Sequence, residues 1–230
     1  MKIAIMGAMR EEIEPILEAV GSYTATEHAG NTFYECQFGG HDLIIAYSKI
    51  GKVFSAITAS VMCERFGARA LLFTGVAGAI SSELHIGDLV MASALCQHDV
   101  DITAFGHPYG FIPEGEVMIE TSPLLRSLAA EVAVDMGIDL YEGVIATGDQ
   151  FVASAERKEW IAKTFNADAL EMEGASVACV CANFGIPFFI LRAISDSADG
   201  DAGVDFDTFL QSSAKVSAKF VLEMVQRLGR

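Results

Sequence analysis

The sequence contains few basic side chains. Its 230 residues include 15 Lys and Arg against 31 Asp and Glu, which gives a formal net charge of −16. Proteins that bind nucleic acid or anionic membrane surfaces need clustered Lys and Arg to meet the phosphates. The charge balance therefore argues against a nucleic-acid or membrane partner.

Cysteine is scarce, and long apolar runs are missing. The five cysteines form no C-x-x-C pair, which is typical of reduced thiols in the cytoplasm, and Cys179 and Cys181 are expected to pack as small apolar residues. Glu11 and Glu12 follow the first apolar run too closely for a signal peptide. The apolar stretch 175–194 is interrupted by polar residues, glycine and proline, so it does not predict a membrane span. We expect a soluble, cytoplasmic protein.

Short β-rich runs alternate with longer helical patterns along the chain. This alternation predicts an α/β fold, a single domain over residues 1–230, with a largely parallel but mixed central sheet flanked by helices. Segments 32–38 and 41–49 are separated by Gly39 and Gly40, which predicts a two-residue hairpin. The segment from Asp205 onward carries apolar residues at helical spacing and predicts an amphipathic helix.

Several short patterns have both a functional and a structural interpretation. The Gly-rich run 73–79 (FTGVAGA) predicts either a close backbone approach to a small ligand or a tight strand-to-helix turn. Residues 174–178 resemble the nucleophile elbow of esterases but lack its second glycine, so Ser176 is interpreted as a small helix residue. Polar clusters at 98–107 and 199–207 match no metal-binding spacing and are interpreted as solvated loops.

A group of charged residues remains at the predicted strand ends, where α/β sheets bind ligands: Glu12, Glu171, Glu173, Arg192 and Asp196. Alternation along a strand would place Glu171 and Glu173 on one face, with Arg192 as the candidate cation that offsets their repulsion. Such a group can hold sugar hydroxyls and separate an acid from a base. It can equally form a surface salt-bridge network, and the residues alone leave both interpretations open.

Eight segments, in order and nearly end to end, carry a family resemblance. They are 7–12 (GAMREE), 48–53 (SKIGKV), 74–78 (TGVAG), 101–106 (DITAFG), 148–151 (GDQF), 171–174 (EMEG), 192–196 (RAISD) and 206–209 (FDTF). Together they resemble the methylthioadenosine/S-adenosylhomocysteine nucleosidases. The resemblance implies the nucleoside phosphorylase-like fold, a homodimer, no metal and no organic cofactor.

The resemblance also implies hydrolysis of the N-glycosidic bond of methylthioadenosine and S-adenosylhomocysteine, with release of adenine. Glu12 would activate the attacking water, Glu173 would bind the ribose hydroxyls, and Arg192 would belong to the catalytic group. Asp196 would share a proton with the five-membered ring of the purine, which requires a raised pKa. The other expected substrate contacts are Met9, Ile50, Val76, Ala77, Gly78, Phe151, Val152, Glu171, Met172, Ser195 and Phe206. From the partner subunit, Ile102, Phe105, His107 and Pro113 would close the alkylthio side of the pocket.

Two positions depart from the better-known members, which often carry Ser at Val76 and Tyr at His107. Segments 98–111 and 148–159 resemble a subgroup that also cleaves aminodeoxyfutalosine. One alternative is a purine nucleoside phosphorylase, which would need anion-binding arginines. The other is a non-catalytic nucleoside-binding module, which would need no paired acids.

Overall fold

A computed structural model describes residues 1–198 and 202–228, so Asp199 and Asp201 of the second polar cluster lie outside the described residues. The strands are β1 (Lys2–Gly7), β2 (Thr24–His28), β3 (Asn31–Phe38), β4 (His41–Tyr47), β5 (Ala70–Ala79), β6 (Leu89–Gln97), β7 (Ile119–Glu120), β8 (Leu140–Thr147), β9 (Ala169–Glu171) and β10 (Phe188–Asp196). The helices are α1 (Arg10–Val20), α2 (Lys52–Glu64), α3 (Pro123–Met136), α4 (Ala155–Phe165), α5 (Gly174–Phe184) and α6 (Ala202–Arg227), with one 3-10 turn at Thr103–Phe105. Within the two described ranges, no helix combines the length and hydrophobicity needed to cross a membrane.

The strands form one mixed sheet in the order β10-β6-β8-β9-β5-β1-β4-β3-β2, with β7 beside β6. The predicted α/β fold with a mixed sheet flanked by helices is confirmed. The sheet is mixed because β9 runs antiparallel to β5, β6 runs antiparallel to β10, and β2, β3 and β4 pair antiparallel. A further pairing between β10 and β5 closes β10, β6, β8, β9 and β5 into a ring.

Local features of the chain follow the sequence pattern closely. β3 and β4 pair antiparallel with Phe38 opposite His41, which confirms the predicted hairpin. Helix α6 is also confirmed, although it begins at Ala202, before the predicted start. All five cysteines are free, and Cys181 is buried as expected. The expectation for Cys179 is wrong, because it lies on the solvent side of α5 and is exposed.

Both faces of the sheet are covered by helices. On β1, Ile3 and Ile5 pack in a cluster with residues of α1, α3 and α6, whereas Ala4 and Met6 pack in a second cluster with residues of α2 and α5. This is the alternation expected of a strand that is buried on both sides. Because the faces are filled, the space for a ligand lies at the strand ends.

Candidate active site

One cavity of about 310 Å³ gathers the residues predicted to contact substrate within one chain. It lies where β1, β9 and β10 end, beside the last residues of β5 and the first turns of α1 and α5. Its wall consists of Ala8, Met9, Glu12, Ile50, Val76, Ala77, Gly78, Gln150, Phe151, Val152, Leu170, Glu171, Met172, Glu173, Ser195, Asp196 and Phe206. Sequence reasoning missed Ala8, Gln150 and Leu170, although the first two lie inside the GAMREE and GDQF segments.

Glu12 lies in the first turn of α1 and is only 2% exposed. Its Oε2 atom accepts the backbone N–H groups of Ala8 at 2.6 Å and Met9 at 3.0 Å, and its Oε1 atom accepts that of Val76 at 3.1 Å. Burial raises the pKa of Glu12 above its ordinary value, whereas Arg192 and the backbone donors act to lower it. A carboxyl group held in this way is able to exchange a proton with a water molecule in the pocket.

Glycines on β5 make room for two of the acids. A Cβ atom at Gly75 would lie 2.7 Å from Glu12 Oε1, and one at Gly78 would lie 2.7 Å from Asp196 Oδ1. β5 continues to Ala79, so the tight strand-to-helix turn considered for this run is wrong. Glu12 and Asp196 therefore approach β5 at positions three residues apart, and both carboxyl groups line the same cavity.

Asp196 is the last residue of β10 and is almost fully buried. The register of β10 against β5 shifts between Ile194 and Asp196, and such an irregularity re-aims the side chain that follows it. Ser195 Oγ donates to Asp196 Oδ2 at 2.9 Å, and the N–H of Ala198 donates to Oδ1 at 2.9 Å. These contacts hold the carboxyl group at the pocket wall.

Glu171 and Glu173 belong to different elements, so the expected shared strand face is wrong. β9 ends at Glu171, and Glu173 is the N-cap residue of α5. Glu171 Oε2 accepts the N–H groups of Glu173 at 3.1 Å and Gly174 at 2.7 Å, while Oε1 accepts the hydroxyl of Thr147. Glu171 thus satisfies the open N–H groups of the first turn of α5, which is a structural task.

Glu173 turns into the pocket instead. Its Oε1 atom accepts the N–H of Gly51 at 2.7 Å. Burial, and then the negative charge of Glu171, raise the pKa of Glu173 to about 8. Because this pKa lies near neutral pH, a group that enters the pocket beside Glu173 can change its protonation state.

Arg192 lies behind the pocket wall and not on it. Its side chain is 1% exposed, and its Nη2 atom is 2.7 Å from Glu171 Oε2. The guanidinium group also donates to the carbonyl oxygens of Phe73 and Leu191 and stacks on the Phe73 ring at 4.1 Å. The sequence reasoning placed Arg192 among the catalytic residues and near both glutamates. In the structure it contacts Glu171 and acts through it, as a positioning residue.

The aromatic side of the pocket is open to solvent. Phe151 is 51% exposed and meets the ring of Phe206 edge to face, with centroids 5.8 Å apart. The backbone beside it continues into Val152, which is buried. An exposed ring at the mouth of a cavity is suited to stacking on a planar base.

The residues expected from a partner subunit do not line the cavity of their own chain. Phe105 is 81% exposed, and His107 stacks on Phe111 at 4.8 Å. Ile102 lies just before the 3-10 turn, and Pro113 is exposed. The loop that carries these residues thus projects its apolar groups toward solvent.

The remaining patterns have structural roles. Ser176 lies inside α5, where its hydroxyl is 2.6 Å from that of Ser55, as expected of a small helix residue. Asp99 forms an ion pair with Lys52. Across residues 1–198 and 202–228, no three His, Cys, Asp or Glu side chains are grouped as metal ligands would be.

Comparison with known proteins places this geometry in context. The family model described as the phosphorylase superfamily matches residues 2–226. An aminodeoxyfutalosine nucleosidase of Campylobacter jejuni is 58% identical, over 99% of this chain and 100% of its own. A methylthioadenosine/S-adenosylhomocysteine nucleosidase of Actinobacillus succinogenes is 37% identical, over 99% and 100%. A Helicobacter pylori nucleosidase of the latter name, crystallised with a ligand that contains an amino-pyrrolopyrimidine group, superposes with a TM-score of 0.98 at 53% identity, covering 99% and 98%.

Proposed function

This chain belongs to the phosphorylase superfamily, and from that premise we propose how its pocket works as a nucleosidase. The enzyme is an N-ribosyl hydrolase that cleaves the N-glycosidic bond of adenine nucleosides, as do the relatives that share its fold. Its proposed substrates are methylthioadenosine, S-adenosylhomocysteine and aminodeoxyfutalosine. Adenine and the substituted ribose are the products.

The observation that carries the proposal is the convergence on one small pocket of three buried carboxyl groups besides the structural Glu171. Glu12, Glu173 and Asp196 come from α1, the start of α5 and the end of β10, and all three line the same cavity. Burying several carboxyl groups side by side costs stability. Such an arrangement is typical of a site that separates an acid from a base.

In the proposed mechanism, bond cleavage passes through an oxocarbenium-like state. Asp196 shares a proton with a nitrogen of the five-membered purine ring, which makes adenine a better leaving group. Glu12 takes a proton from the attacking water on the ribose side. Glu173 accepts hydrogen bonds from the ribose hydroxyls, and Phe151 contacts the base.

The charges around the pocket favour water over phosphate as the attacking group. Among the described residues, no Lys or Arg lines the cavity, and Arg192 is bonded to Glu171 behind it. Arg10 forms an exposed pair with Glu14 on α1. A phosphorylase would need a cation where Glu12 lies, because phosphate next to an unneutralised carboxylate is repelled.

Adenine release from methylthioadenosine in phosphate-free buffer, compared with added inorganic phosphate, tests the reaction type. We expect the same rate in both buffers. Release that requires phosphate would make the protein a phosphorylase and remove Glu12 from its role. Binding of adenine without any release would support the non-catalytic module.

A separate question is which substituent at the 5′ position of the ribose the enzyme accepts. Relatives named aminodeoxyfutalosine nucleosidase are 53–58% identical to this chain, and solved structures named methylthioadenosine/S-adenosylhomocysteine nucleosidase reach 53–57%. Names of both kinds at the same level of identity support aminodeoxyfutalosine as a substrate beside methylthioadenosine. Comparison of kcat/KM for the two substrate types tests it, and the absence of turnover with aminodeoxyfutalosine would refute it.

A homodimer is the proposed assembly. Val53, Phe54 and Ile57 on α2 are 67%, 47% and 45% exposed, which is unusual for neighbouring apolar side chains. A second copy of the chain would cover this face. The alkylthio side of the pocket would then be closed by the partner subunit's Ile102, the partner subunit's Phe105, the partner subunit's His107 and the partner subunit's Pro113.

Light scattering after size-exclusion chromatography tests the dimer. We expect a mass of twice 24.6 kDa, and we expect Phe105→Asp to lower kcat/KM although Phe105 lies outside its own cavity. A stable monomer with full activity would refute the shared pocket.

A further inference from the structure

A ring of polar contacts joins the start of α2 to the loop after β8. Lys52 Nζ donates to Asp99 Oδ1 at 2.7 Å and to Gln97 Oε1 at 3.1 Å. Asp99 Oδ2 accepts the backbone N–H of Asp149 at 2.9 Å. Asp149 Oδ1 in turn accepts the backbone N–H of Lys52 at 2.8 Å. Lys52, Asp99 and Asp149 thus form a closed ring, which we call the clamp.

The ion pair in the clamp is largely shielded from water. The side chains of Lys52 and Asp99 are 17% and 14% exposed. Although burial acts to raise it, the pKa of Asp99 is lowered overall by hydrogen bonds from Lys52 and from the Asp149 backbone. A pair that is shielded and held by further hydrogen bonds constrains geometry more than an exposed surface pair does.

The clamp lies between the two parts of the pocket that hold the substrate. Gly51, immediately before Lys52, donates its N–H to Glu173 at 2.7 Å. On the other side, Asp149 immediately precedes the pocket residues Gln150, Phe151 and Val152. The clamp therefore connects the backbone N–H of Gly51, which orients Glu173, to the loop that carries Phe151.

We propose that the clamp sets the position of these two walls relative to each other, and that Lys52 and Asp99 are positioning residues for ribose recognition. This inference rests on the proposed function, in which Glu173 binds the ribose hydroxyls and Phe151 contacts the base. Neither Lys52 nor Asp99 lines the cavity. They act through the N–H of Gly51 and through the loop that carries Phe151.

The test compares kcat/KM for methylthioadenosine with that for its 2′-deoxy analogue. The comparison is made at about pH 9, above the pKa of about 8 of Glu173, so that its carboxyl group is ionised. Loss of a hydrogen bond to a charged group is typically worth about tenfold to hundredfold, and we expect the wild-type protein to prefer the ribonucleoside by that factor. Lys52→Met and Asp99→Asn should each reduce this preference at least about fivefold, since Glu173 is then oriented less well. Lys52→Arg should restore most of it. Lys163→Met, which breaks only the exposed pair with Glu159, is the matched control and should change nothing.

The preference ratio separates positioning from general damage. If both clamp variants lose kcat/KM equally on the two nucleosides, or lose none, the inference is overturned while the proposed function stands. If the wild-type protein releases adenine from neither nucleoside, the proposed function fails and the inference fails with it. Asp99→Asn keeps an oxygen that can accept the Asp149 N–H, so it provides a folded variant if Lys52→Met does not fold.

Discussion

Replacing Glu173 with Gln should make the protein more stable while removing most of its activity. The pKa of Glu173 is raised from 4.5 to about 8, by burial first and by the charge of Glu171 second. Gln has nearly the same shape, and its side-chain oxygen can still accept the N–H of Gly51. The variant therefore removes the titrating group and keeps the contact.

The sign of this change in stability follows from the pKa of Glu173, which is 4.5 in the unfolded chain and about 8 in the folded protein. Below pH 4.5 this glutamate is protonated in both the folded and the unfolded state. Between pH 4.5 and about 8 the unfolded chain releases the proton while the folded chain keeps it, so the free energy of unfolding falls as pH rises. At about 1.4 kcal/mol per pKa unit, this penalty reaches no more than about 5 kcal/mol at pH 8 and is below about 1 kcal/mol at pH 5.

Urea unfolding of wild-type protein and Glu173→Gln at pH 5 and pH 8, at one fixed protein concentration, measures the difference. We expect a gain in unfolding free energy of several kcal/mol at pH 8 and almost none at pH 5. A gain that is the same at both pH values would refute the reasoning, because an uncharged packing effect does not follow the titration.

Glu171→Gln is the matched control, two residues away, and should have the opposite effect. Glu171 is bonded to Arg192, and both side chains are almost fully buried. Removing one partner leaves a buried charge uncompensated, which typically costs about 3–5 kcal/mol. Stabilisation by this substitution would show that the structural role assigned to Glu171 is wrong.

Four further substitutions test individual parts of the site. Glu12→Gln and Asp196→Asn should each fold normally and lose about 10²–10⁴ in kcat for adenine release, and near-normal turnover would contradict the assigned role. Gly78→Ala would place a methyl group 2.7 Å from Asp196 Oδ1 and should lower kcat/KM about 10²-fold, with an unchanged near-ultraviolet circular dichroism spectrum; full activity would mean that Asp196 tolerates displacement. Phe151→Leu should weaken adenine binding measured by calorimetry about threefold to tenfold, and equal affinity would argue against stacking.

Local elements of the fold were predictable because their signals lie within a few residues of each other. The amphipathic pattern of α6 and the Gly39–Gly40 hairpin depend on neighbouring side chains alone. Most of the pocket residues were implied by the family resemblance, and the structure brings the expected substrate contacts of one chain together. Their roles in the reaction stay predictions.

The closure of the strand ring, the end of β9 and the clamp depend on contacts between distant segments. Local sequence patterns carry no information about such contacts. Ring closure by β10 and β5 joins strands that are far apart along the chain, and it could not be inferred from alternation. The end of β9 at Glu171 is set by α5, whose first N–H groups need that carboxylate, and this separated Glu171 from Glu173. The clamp likewise forms only where the loop after β8 meets the start of α2, so the residues next to Lys52 in the sequence do not predict it.

The absence of Lys and Arg from the described cavity wall has a further consequence for metabolism. Adenine nucleotides carry the same base and ribose as the proposed substrates but bear phosphates at the 5′ position. A pocket whose described wall holds carboxyl groups and no Lys or Arg offers no counter-ion to those phosphates. The proposed nucleosidase would therefore discriminate against AMP and ATP, because their phosphates would lose water in the pocket without gaining an ion pair.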